Sequence, residues 1–362
     1  MEDIYSPSYY YSFAIDLTNR CNGKCIFCPR NNFSKKVNPR SELDLNIFKK
    51  VFDHDYLNHI SSIIINGNLG EPTFYSKMFE FLDYISEINS KVNIFMSTNG
   101  SIRPSWWWKE LAKKMEFNKG NIIRFALDGL HDTHHLYRGT HYKIVLRNLM
   151  TYINAGGKAD WQFIVFKHNE HQLEQAKKIA SSMGCSGFVT LVSRHYQEEG
   201  LERPTMLKNA KTKVELCSES NRDHLFCTPI ENRHLYMSHE GFIYPCCDYG
   251  LFDDFRKIED YPIKAYIEYL RSLNDLDMSK STLSDALNSR FFKYIIENKD
   301  DLSRCKTSCK IHNNNSNDKI IIRETVDSIR SDTEKIVPRN ETIITNKIQT
   351  KLNLKARGSE NV

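Results

Sequence analysis

Residues 12–192 alternate short β-branched or aromatic runs with longer amphipathic segments, and this alternation limits the fold more than any other feature. In the longer segments apolar residues recur every three or four positions, as in Phe79, Leu82 and Ile85, which indicates helices. Repeated βα units build a parallel sheet, so the pattern predicts the α/β class with a partial (βα)6 TIM-like barrel. The six predicted strands are 12–17, 60–65, 92–97, 122–127, 161–166 and 187–192.

Composition limits the function classes. With 362 residues, of which 40% are hydrophobic, the chain can bury a large core. The net charge of +5 is small and no basic block dominates, so nucleic acid is not expected as a partner. The N-terminus lacks a signal peptide, and no apolar run approaches the length of a membrane span. We therefore expect a cytoplasmic protein with no membrane partner.

The chain outside the βα units divides by composition. Residues 1–11 form an N-terminal segment before the barrel of 12–192. From 193 to 312 the periodicity weakens and cysteines become frequent, which predicts a smaller, metal-organised extension. Residues 313–362 are rich in Asn, Lys, Ser and Thr and are typical of a polar tail, partly helical and partly disordered.

Three cysteines lie within eight positions on the loop after the first predicted strand: Cys21, Cys25 and Cys28. Disulfides are unlikely in a reducing compartment, and close thiolates bind zinc, copper(I) or iron–sulfur clusters. Structural zinc requires a fourth ligand, and the next candidates, His54 and His59, lie across a predicted helix. A [4Fe-4S] cluster normally takes four thiolates, so three would leave one iron open to another ligand.

This C-x3-C-x2-C loop, after the first strand of a six-unit barrel, resembles the radical S-adenosylmethionine superfamily. The resemblance implies that Cys21, Cys25 and Cys28 hold a [4Fe-4S] cluster whose open iron binds S-adenosylmethionine. An electron from a low-potential donor, flavodoxin-like or ferredoxin-like, would cleave that cofactor to methionine and a 5'-deoxyadenosyl radical. The radical would take a hydrogen atom from substrate. Phe27 matches the position that lies against adenine, with ordinary packing as the alternative.

Two further loops carry the resemblance. The second strand ends in "INGNLGEP", which resembles the GGEP motif of the family, with Leu69 where the first glycine usually stands. Gly70, Glu71 and Pro72 are retained, and the backbone and carboxylate there would hold the methionyl ammonium group. The third strand ends in "STNG", where Ser97 and Asn99 are expected to reach the cofactor; a simple turn is the alternative.

The loop after the fourth predicted strand supplies the last two expected contacts with S-adenosylmethionine. Arg138 matches the family arginine that pairs with the methionyl carboxylate, a role suited to its planar guanidinium. Asp128 ends the strand in "FALDG" and is expected to contact the cofactor; the alternative is that it caps the following turn. Ala126 stands where members with peptide substrates commonly have a serine that contacts the cofactor.

A second cysteine set follows the barrel. Cys227, Gly241 and Cys246 form a C-x13-G-x4-C pattern that resembles the start of the SPASM domain, with Gly241 expected in a tight hairpin turn. Cys305 and Cys309 complete four thiolates, as in the shortened twitch form, which implies one auxiliary [4Fe-4S] cluster. A four-cysteine zinc site is the alternative. Two spare thiols, either of which could replace an assigned ligand, are Cys217 and Cys247.

The resemblance leaves three hypotheses for function. The first is radical chemistry on a peptide or protein substrate. The second is the same chemistry on a sugar, nucleotide or other small metabolite. The third is a non-catalytic zinc or electron-transfer protein. The sequence identifies no catalytic side chain beyond the cofactor contacts.

Overall fold

The computed structural model describes residues 3–28, 42–193, 201–205, 227–250, 263–303, 305 and 321–325. Its centre is a nine-stranded sheet of order β8-β7-β1-β2-β3-β4-β5-β6-β9. All six predicted strands are present and pair in parallel in chain order, which confirms the predicted α/β class. The strands are β1 Ser12–Ile15, β2 Ser62–Ile65, β3 Asn93–Thr98, β4 Ile122–Ala126, β5 Ala159–Val165, β6 Gly187–Val192, β7 His234–Met237, β8 Ile243–Tyr244 and β9 Ile321–Thr325.

Helices follow the strands along the chain and cover one face of the sheet. The helices of the barrel region are α1 Leu45–Val51, α2 His54–His59, α3 Met78–Ile88, α4 Ser105–Met115, α5 His134–Arg138, α6 Tyr142–Asn154 and α7 Leu173–Ser182. Those of the extension are α8 Thr228–Glu231, α9 Cys247–Gly250, α10 Ile263–Arg271, α11 Leu273–Leu276, α12 Leu283–Asn288 and α13 Arg290–Glu297. Trp108 of α4 packs 5.1 Å from Phe125 of β4, ring centroid to centroid, so the Phe125 face of the sheet is the helix-covered one.

The opposite, inner face of the sheet carries polar and partly exposed side chains. Ser97 pairs with Arg124, and Arg124 pairs with Asp160, across β3, β4 and β5. Phe95 lies two residues before Ser97 on the same face and is 43% exposed. A large aromatic side chain with that exposure in the middle of a sheet marks the inner face as a candidate binding surface.

The extension adds a seventh parallel strand that the sequence did not reveal. β7 pairs with β1 in parallel, and β8 folds back against β7 as an antiparallel hairpin. Gly241 has a φ of +86° in the connecting turn, which confirms the hairpin predicted at this glycine. Buried residues of the extension and of the barrel belong to one hydrophobic core.

The polar segment 313–362 also contributes to the sheet. β9 pairs with β6 in antiparallel orientation, with Gly187 opposite Thr325 and Leu191 opposite Ile321. No strand was predicted here, although the run of isoleucines at 320–322 is a β-strand signal within the polar composition. In the part of the chain that the structure describes, no helix is both long and apolar enough to cross a membrane.

Candidate functional site

The cysteine loop lies beyond the carboxyl end of β1 and is anchored to α5. The Lys24 amide donates to the Arg138 carbonyl at 3.1 Å, and the Ile26 amide donates to the Tyr137 carbonyl at 3.3 Å. The Cys28 amide donates to the Cys25 carbonyl at 3.0 Å, which forms a turn within the loop. These backbone bonds fix the segment that carries Cys25 and Cys28 against α5.

The thiols of this loop face donors and positive charge. A Cβ atom added at Gly23 would lie 3.4 Å from Cys21 Sγ and 3.6 Å from Cys25 Sγ, so both sulfurs lie on the Gly23 side of the loop. Asn99 Nδ2 lies 3.8 Å from Cys21 Sγ, and Arg138 Nη1 lies 3.9 Å from Cys25 Sγ. Three cysteines on one loop, two of them beside an amide donor and a guanidinium, fit the thiolate set that an iron–sulfur cluster needs.

No group of three His, Cys, Asp or Glu side chains within the described ranges converges on a point that one metal ion could occupy. A single ion needs every ligand about 2.0–2.3 Å from its centre, whereas a cluster of four irons takes each thiolate at a different iron. The three sulfurs therefore do not have to converge on one point to hold a cluster, whereas they would have to do so to hold a single ion.

The loop after β2 passes very close to the base of the cysteine loop. A Cβ at Gly70 would lie 1.9 Å from the Thr18 carbonyl oxygen, so only glycine permits this approach. The next amide, that of Glu71, donates to the Arg20 carbonyl at 2.7 Å. Pro72 begins the short 3-10 helix Pro72–Phe74. The loop after β2 therefore lies against Thr18 and Arg20 at the start of the cysteine loop, which brings together two loops that the sequence linked only by resemblance.

The carboxylate of Glu71 is buried and links two loops through hydrogen bonds. It accepts hydrogen bonds from the Thr73 amide at 3.2 Å, Thr73 Oγ1 at 2.8 Å, Thr98 Oγ1 at 2.5 Å and the Asn99 amide at 2.6 Å. Burial raises the pKa of Glu71, and these four donors oppose that shift. The carboxylate thereby ties the loop after β2 to the end of β3. A contact between Glu71 and an ammonium group stays a prediction.

Ser97 lies in β3 and Asn99 directly follows it, and their two side chains point to different sides. Asn99 Nδ2 also donates to Asn22 Oδ1 at 3.0 Å, which links the end of β3 to the cysteine loop. Ser97 is half-buried on the inner face of the sheet. Asn99 is therefore beside the thiols, whereas Ser97 faces the interior of the barrel.

Phe27 packs in a small apolar cluster behind the cysteine loop. Its ring centroid lies 6.3 Å from that of Tyr137 and 6.4 Å from that of Phe166. Leu201 belongs to the same cluster. The structure thus gives Phe27 a packing role, and its contact with adenine stays a prediction.

Asp128 and Arg138 form a buried ion pair beside Cys25. Arg138 Nε donates to Asp128 Oδ2, and the other carboxylate oxygen, Oδ1, accepts from the Ile164 amide at 2.6 Å. Asp128 is fully buried, and the Arg138 side chain is 14% exposed. Burial by itself lowers the pKa of Arg138, but the charges of Asp128, Cys25 and Tyr137 and the hydrogen bond to Asp128 together hold that pKa above its usual value. Arg138 therefore stays charged next to the thiol.

His134 supports this ion pair and was not singled out by the sequence. Burial lowers the pKa of His134 to about 3, so its ring is neutral near neutral pH. Nδ1 accepts from the Asp128 amide at 3.2 Å, which leaves the Nε2 proton to bond Thr140 Oγ1 at 2.8 Å. In the sequence His134 stands among two other histidines, His131 and His135, both of which are exposed in the structure.

Asp16 is a second residue that sequence reasoning missed. It lies directly after β1, is fully buried, and accepts from the Asn68 amide at 3.0 Å, the Leu69 amide at 3.3 Å and the Tyr236 hydroxyl at 2.9 Å. It therefore joins β1 to the loop before Gly70 and to β7. An acidic residue at the end of a buried strand, just before the cysteine loop, was the available signal.

The close approach at Gly70 predicts a large steric effect. We expect Gly70→Ala to lower the free energy of unfolding of the cluster-free protein by about 3 kcal/mol, because the new Cβ overlaps the Thr18 carbonyl. Urea denaturation measures this change. Gly23→Ala is the matched control, since its Cβ would meet no atom nearer than 3.4 Å. Equal stability of the two variants would contradict the close approach.

Asp16 predicts a pH dependence of stability. Burial raises its pKa to about 6 in the folded chain, against about 3.9 when it is unfolded. The folded state therefore binds this proton more tightly, and the free energy of unfolding falls by about 3 kcal/mol as the pH rises from about 4 through about 6. Asp16→Asn should remove this part of the profile. Urea titrations of both proteins from acid to neutral pH measure it, and superimposable profiles would refute the assignment.

The second cysteine set is partly described. Cys227 directly precedes α8, and its carbonyl accepts from the Ile230 and Glu231 amides. The carbonyl of Cys246 accepts from the Tyr249 amide at 3.2 Å, and the Tyr249 hydroxyl lies 3.6 Å from Cys305 Sγ. Burial raises the pKa of both Cys227 and Cys305 to about 11. Cys309 and the spare Cys217 lie outside the described residues, and the other spare thiol, Cys247, begins α9.

Sequence comparison identifies the barrel. Residues 15–180, from the end of β1 through the cysteine loop into α7, match the family described as the Radical SAM superfamily. This region is a radical SAM domain. Similar proteins include Fe-coproporphyrin III synthase of Methanosarcina barkeri, 28% identical over 45% of this chain and 41% of the relative. Mycofactocin maturase MftC of Mycolicibacterium smegmatis is 29% identical over 48% of this chain and 43% of the relative. The chain thus spans about two fifths of the length of these two relatives.

A longer match and a solved structure extend the comparison beyond the barrel. GTP 3',8-cyclase of Campylobacter lari is 24% identical over 65% of this radical SAM chain and 79% of the relative. Among solved structures, Streptococcus suis SuiB bound to precursor peptide SuiA superposes with a TM-score of 0.54 and 14% identity, covering 84% of this chain and 71% of that one. At that identity the superposition is a likeness of fold.

Proposed function

We propose that the chain is a radical S-adenosylmethionine enzyme that removes a hydrogen atom from a peptide or protein substrate. The observation that carries the proposal is the anchored loop with three cysteines, beside Asn99 on one side and the charged Arg138 on the other. When bound, the [4Fe-4S] cluster and S-adenosylmethionine supply the one-electron cleavage that makes a 5'-deoxyadenosyl radical.

The side chains of this site have separate tasks in the proposal. Cys21, Cys25 and Cys28 hold the cluster. Arg138, kept charged by Asp128, lies beside Cys25 and offers its remaining N–H groups to a carboxylate. Glu71 holds the loop after β2 against β3, so that the backbone around Gly70 stays beside the cysteines. Phe95 and Ser97 present an apolar and a polar contact on the inner face, where we place the substrate.

The peptide assignment and its main alternative are supported by different relatives. A maturase is 29% identical over 48% of this chain, and the SuiB structure holds a precursor peptide. The GTP 3',8-cyclase match favours a second candidate, the same chemistry on a nucleotide or another small metabolite, because it covers more of both chains. We rank the peptide substrate first because the maturase has the higher identity.

Isotope transfer separates the two candidates. The protein is purified and reconstituted without oxygen, then incubated with S-adenosylmethionine and either a deuterated peptide library or a deuterated metabolite extract. We expect deuterium in 5'-deoxyadenosine from the peptides alone, because the abstracted atom is retained in that product. Label from the metabolites alone would establish the alternative. A colourless, zinc-loaded protein that never forms 5'-deoxyadenosine would overturn both.

We also propose an auxiliary [4Fe-4S] cluster held by Cys227, Cys246, Cys305 and Cys309. Tyr249 supports this assignment, because its amide donates to the Cys246 carbonyl and its hydroxyl lies 3.6 Å from Cys305 Sγ, which brings the segments of these two cysteines together. Cys227→Ala and Cys305→Ala should lower iron and sulfide content while sparing part of the cleavage of S-adenosylmethionine. Stoichiometric zinc in the purified native protein would instead indicate a zinc site.

A further inference from the structure

A buried tyrosine of the extension, Tyr236 on β7, is hydrogen-bonded to the barrel shortly before the cysteine loop. Its hydroxyl donates to Asp16 Oδ2 at 2.9 Å, and both side chains are fully buried. The parallel pairing of β1 with β7 supports this contact, because the Asp16 amide donates to the Met237 carbonyl at 3.0 Å. The extension therefore contributes a side chain at the edge of the sheet where the cysteine loop begins.

The ring of Tyr236 has little room to move. A Cβ added at Gly250, the last residue of α9, would lie 2.1 Å from Tyr236 Cε1, so the helix backbone packs directly on the ring. The ring centroid of Tyr244 lies 6.1 Å from that of Tyr236. Because neighbouring groups hold the ring, the hydroxyl keeps its position opposite Asp16.

The carboxylate of Asp16 holds the turn that leads to Gly70. Oδ1 accepts from the Asn68 amide at 3.0 Å and from Asn68 Nδ2 at 3.3 Å. Oδ2 accepts from the Leu69 amide at 3.3 Å and from the Tyr236 hydroxyl at 2.9 Å. The tyrosine gives the shortest of these four bonds. Its loss would leave Oδ2 with the 3.3 Å bond from Leu69 as its remaining contact among the described residues.

The turn that Asp16 holds is compact. Gly67 has a φ of +60°, and a Cβ added there would lie 2.2 Å from the Gly70 carbonyl oxygen. Residues 67–70 therefore fold tightly on themselves, and a shift at the middle of the turn moves the backbone at Gly70. That backbone lies against the Thr18 carbonyl, and the next amide, that of Glu71, donates to the cysteine loop.

We propose that Tyr236 is a positioning residue for the binding of S-adenosylmethionine and acts through Asp16 on the turn before Gly70. The inference rests on the proposed function, in which the backbone at Gly70 and Glu71 is expected to hold the methionyl ammonium group. Loss of the Tyr236 hydroxyl lowers the fraction of molecules whose turn is in the binding-competent position. The apparent Kd for the cofactor rises in proportion, whereas a molecule that has bound the cofactor reacts as before.

Hydrogen exchange of the cluster-free protein tests the link in the absence of any cofactor. In Tyr236→Phe we expect the amides of Asn68 and Leu69 to exchange about tenfold faster than in the native protein, because a hydrogen bond to a buried carboxylate is lost. Tyr152→Phe is the matched control. Tyr152 on α6 is also fully buried, but its hydroxyl has no hydrogen-bond partner among the described residues. This control should exchange like the native protein, and native exchange in Tyr236→Phe would overturn the inference.

Steady-state kinetics of the reconstituted protein, with dithionite as reductant, measure the effect on the cofactor. For Tyr236→Phe we expect the KM for S-adenosylmethionine to rise about tenfold while kcat for 5'-deoxyadenosine formation stays within about twofold of the native value. Iron content should equal that of the native protein. A variant that is merely less stable loses active molecules, which lowers kcat and leaves KM unchanged. That result in Tyr236→Phe would overturn the inference.

A double variant shows whether Tyr236 acts through Asp16. Asp16→Asn should raise the KM at least as much as Tyr236→Phe does, and combining the two should raise it no further, because two residues of one hydrogen-bonded chain are not additive. KM effects that multiply would overturn the role of Asp16 as the intermediate. If the native protein forms no 5'-deoxyadenosine, the proposed function fails. If it forms 5'-deoxyadenosine and Tyr236→Phe has a native KM, only the positioning role fails.

Discussion

Replacing Cys21, Cys25 and Cys28 together by alanine should lower the cleavage of S-adenosylmethionine by more than about 100-fold. Loss of a residue that merely orients a metal ligand typically costs 10–100-fold, and here the ligands themselves are removed. In the part of the loop that the structure describes, the groups next to the sulfurs are the amide of Asn99 and the guanidinium of Arg138. Neither group is a thiolate. Iron and sulfide content, absorbance and the yield of 5'-deoxyadenosine measure the effect.

Cys185→Ala is the matched control for the triple variant. Cys185 is buried next to β6, and burial raises its pKa to about 12, so it is a small apolar residue of the core. Its replacement should leave iron content and cleavage at the native level. Cleavage that survives in the triple cysteine variant would remove the assignment of the site to this loop.

The second large effect is expected for Asp128→Asn. The substitution leaves the Arg138 guanidinium without its counter-charge in a site where that side chain is only 14% exposed. Removing one partner of a buried ion pair destabilises a protein by about 3–5 kcal/mol, and we expect the lower end because Arg138 keeps some solvent contact. Urea denaturation of the cluster-free protein measures the loss. Cluster binding should also weaken, because the Arg138 carbonyl anchors the cysteine loop at Lys24.

Asp83→Asn tests whether burial of the ion pair is the cause of the destabilisation expected for Asp128→Asn. Asp83 also pairs with a basic side chain, Lys114, at 2.7 Å, but both side chains are partly exposed. Surface ion pairs contribute about 0–1 kcal/mol, so this variant should stay within about 1 kcal/mol of the native protein. Similar losses for Asp128→Asn and Asp83→Asn would show that the buried pair has no special role.

The parts of the site that can be predicted from the sequence are those whose residues lie close together in the chain. Cys21, Cys25 and Cys28 lie within eight residues, and Gly70, Glu71 and Pro72 are consecutive, so a short motif carries each set. The structural role of Glu71 could not be predicted from a local pattern. Its carboxylate bonds Thr98 and the amide of Asn99, 27 and 28 positions away, and no motif within one loop encodes such a contact.

The sequence by itself determined the order of the six βα units, the loops that carry the thiols and the turn at Gly241, because periodicity and turn chemistry are properties of neighbouring residues. Only the tertiary structure decided that β7 and β9 extend the sheet, since strand pairing joins segments far apart in the chain. The same holds for Asp16, which is bonded to Asn68 and Tyr236 across 52 and 220 positions. A buried carboxylate acquires its role from the donors that folding brings to it, and those donors leave no trace in the local sequence.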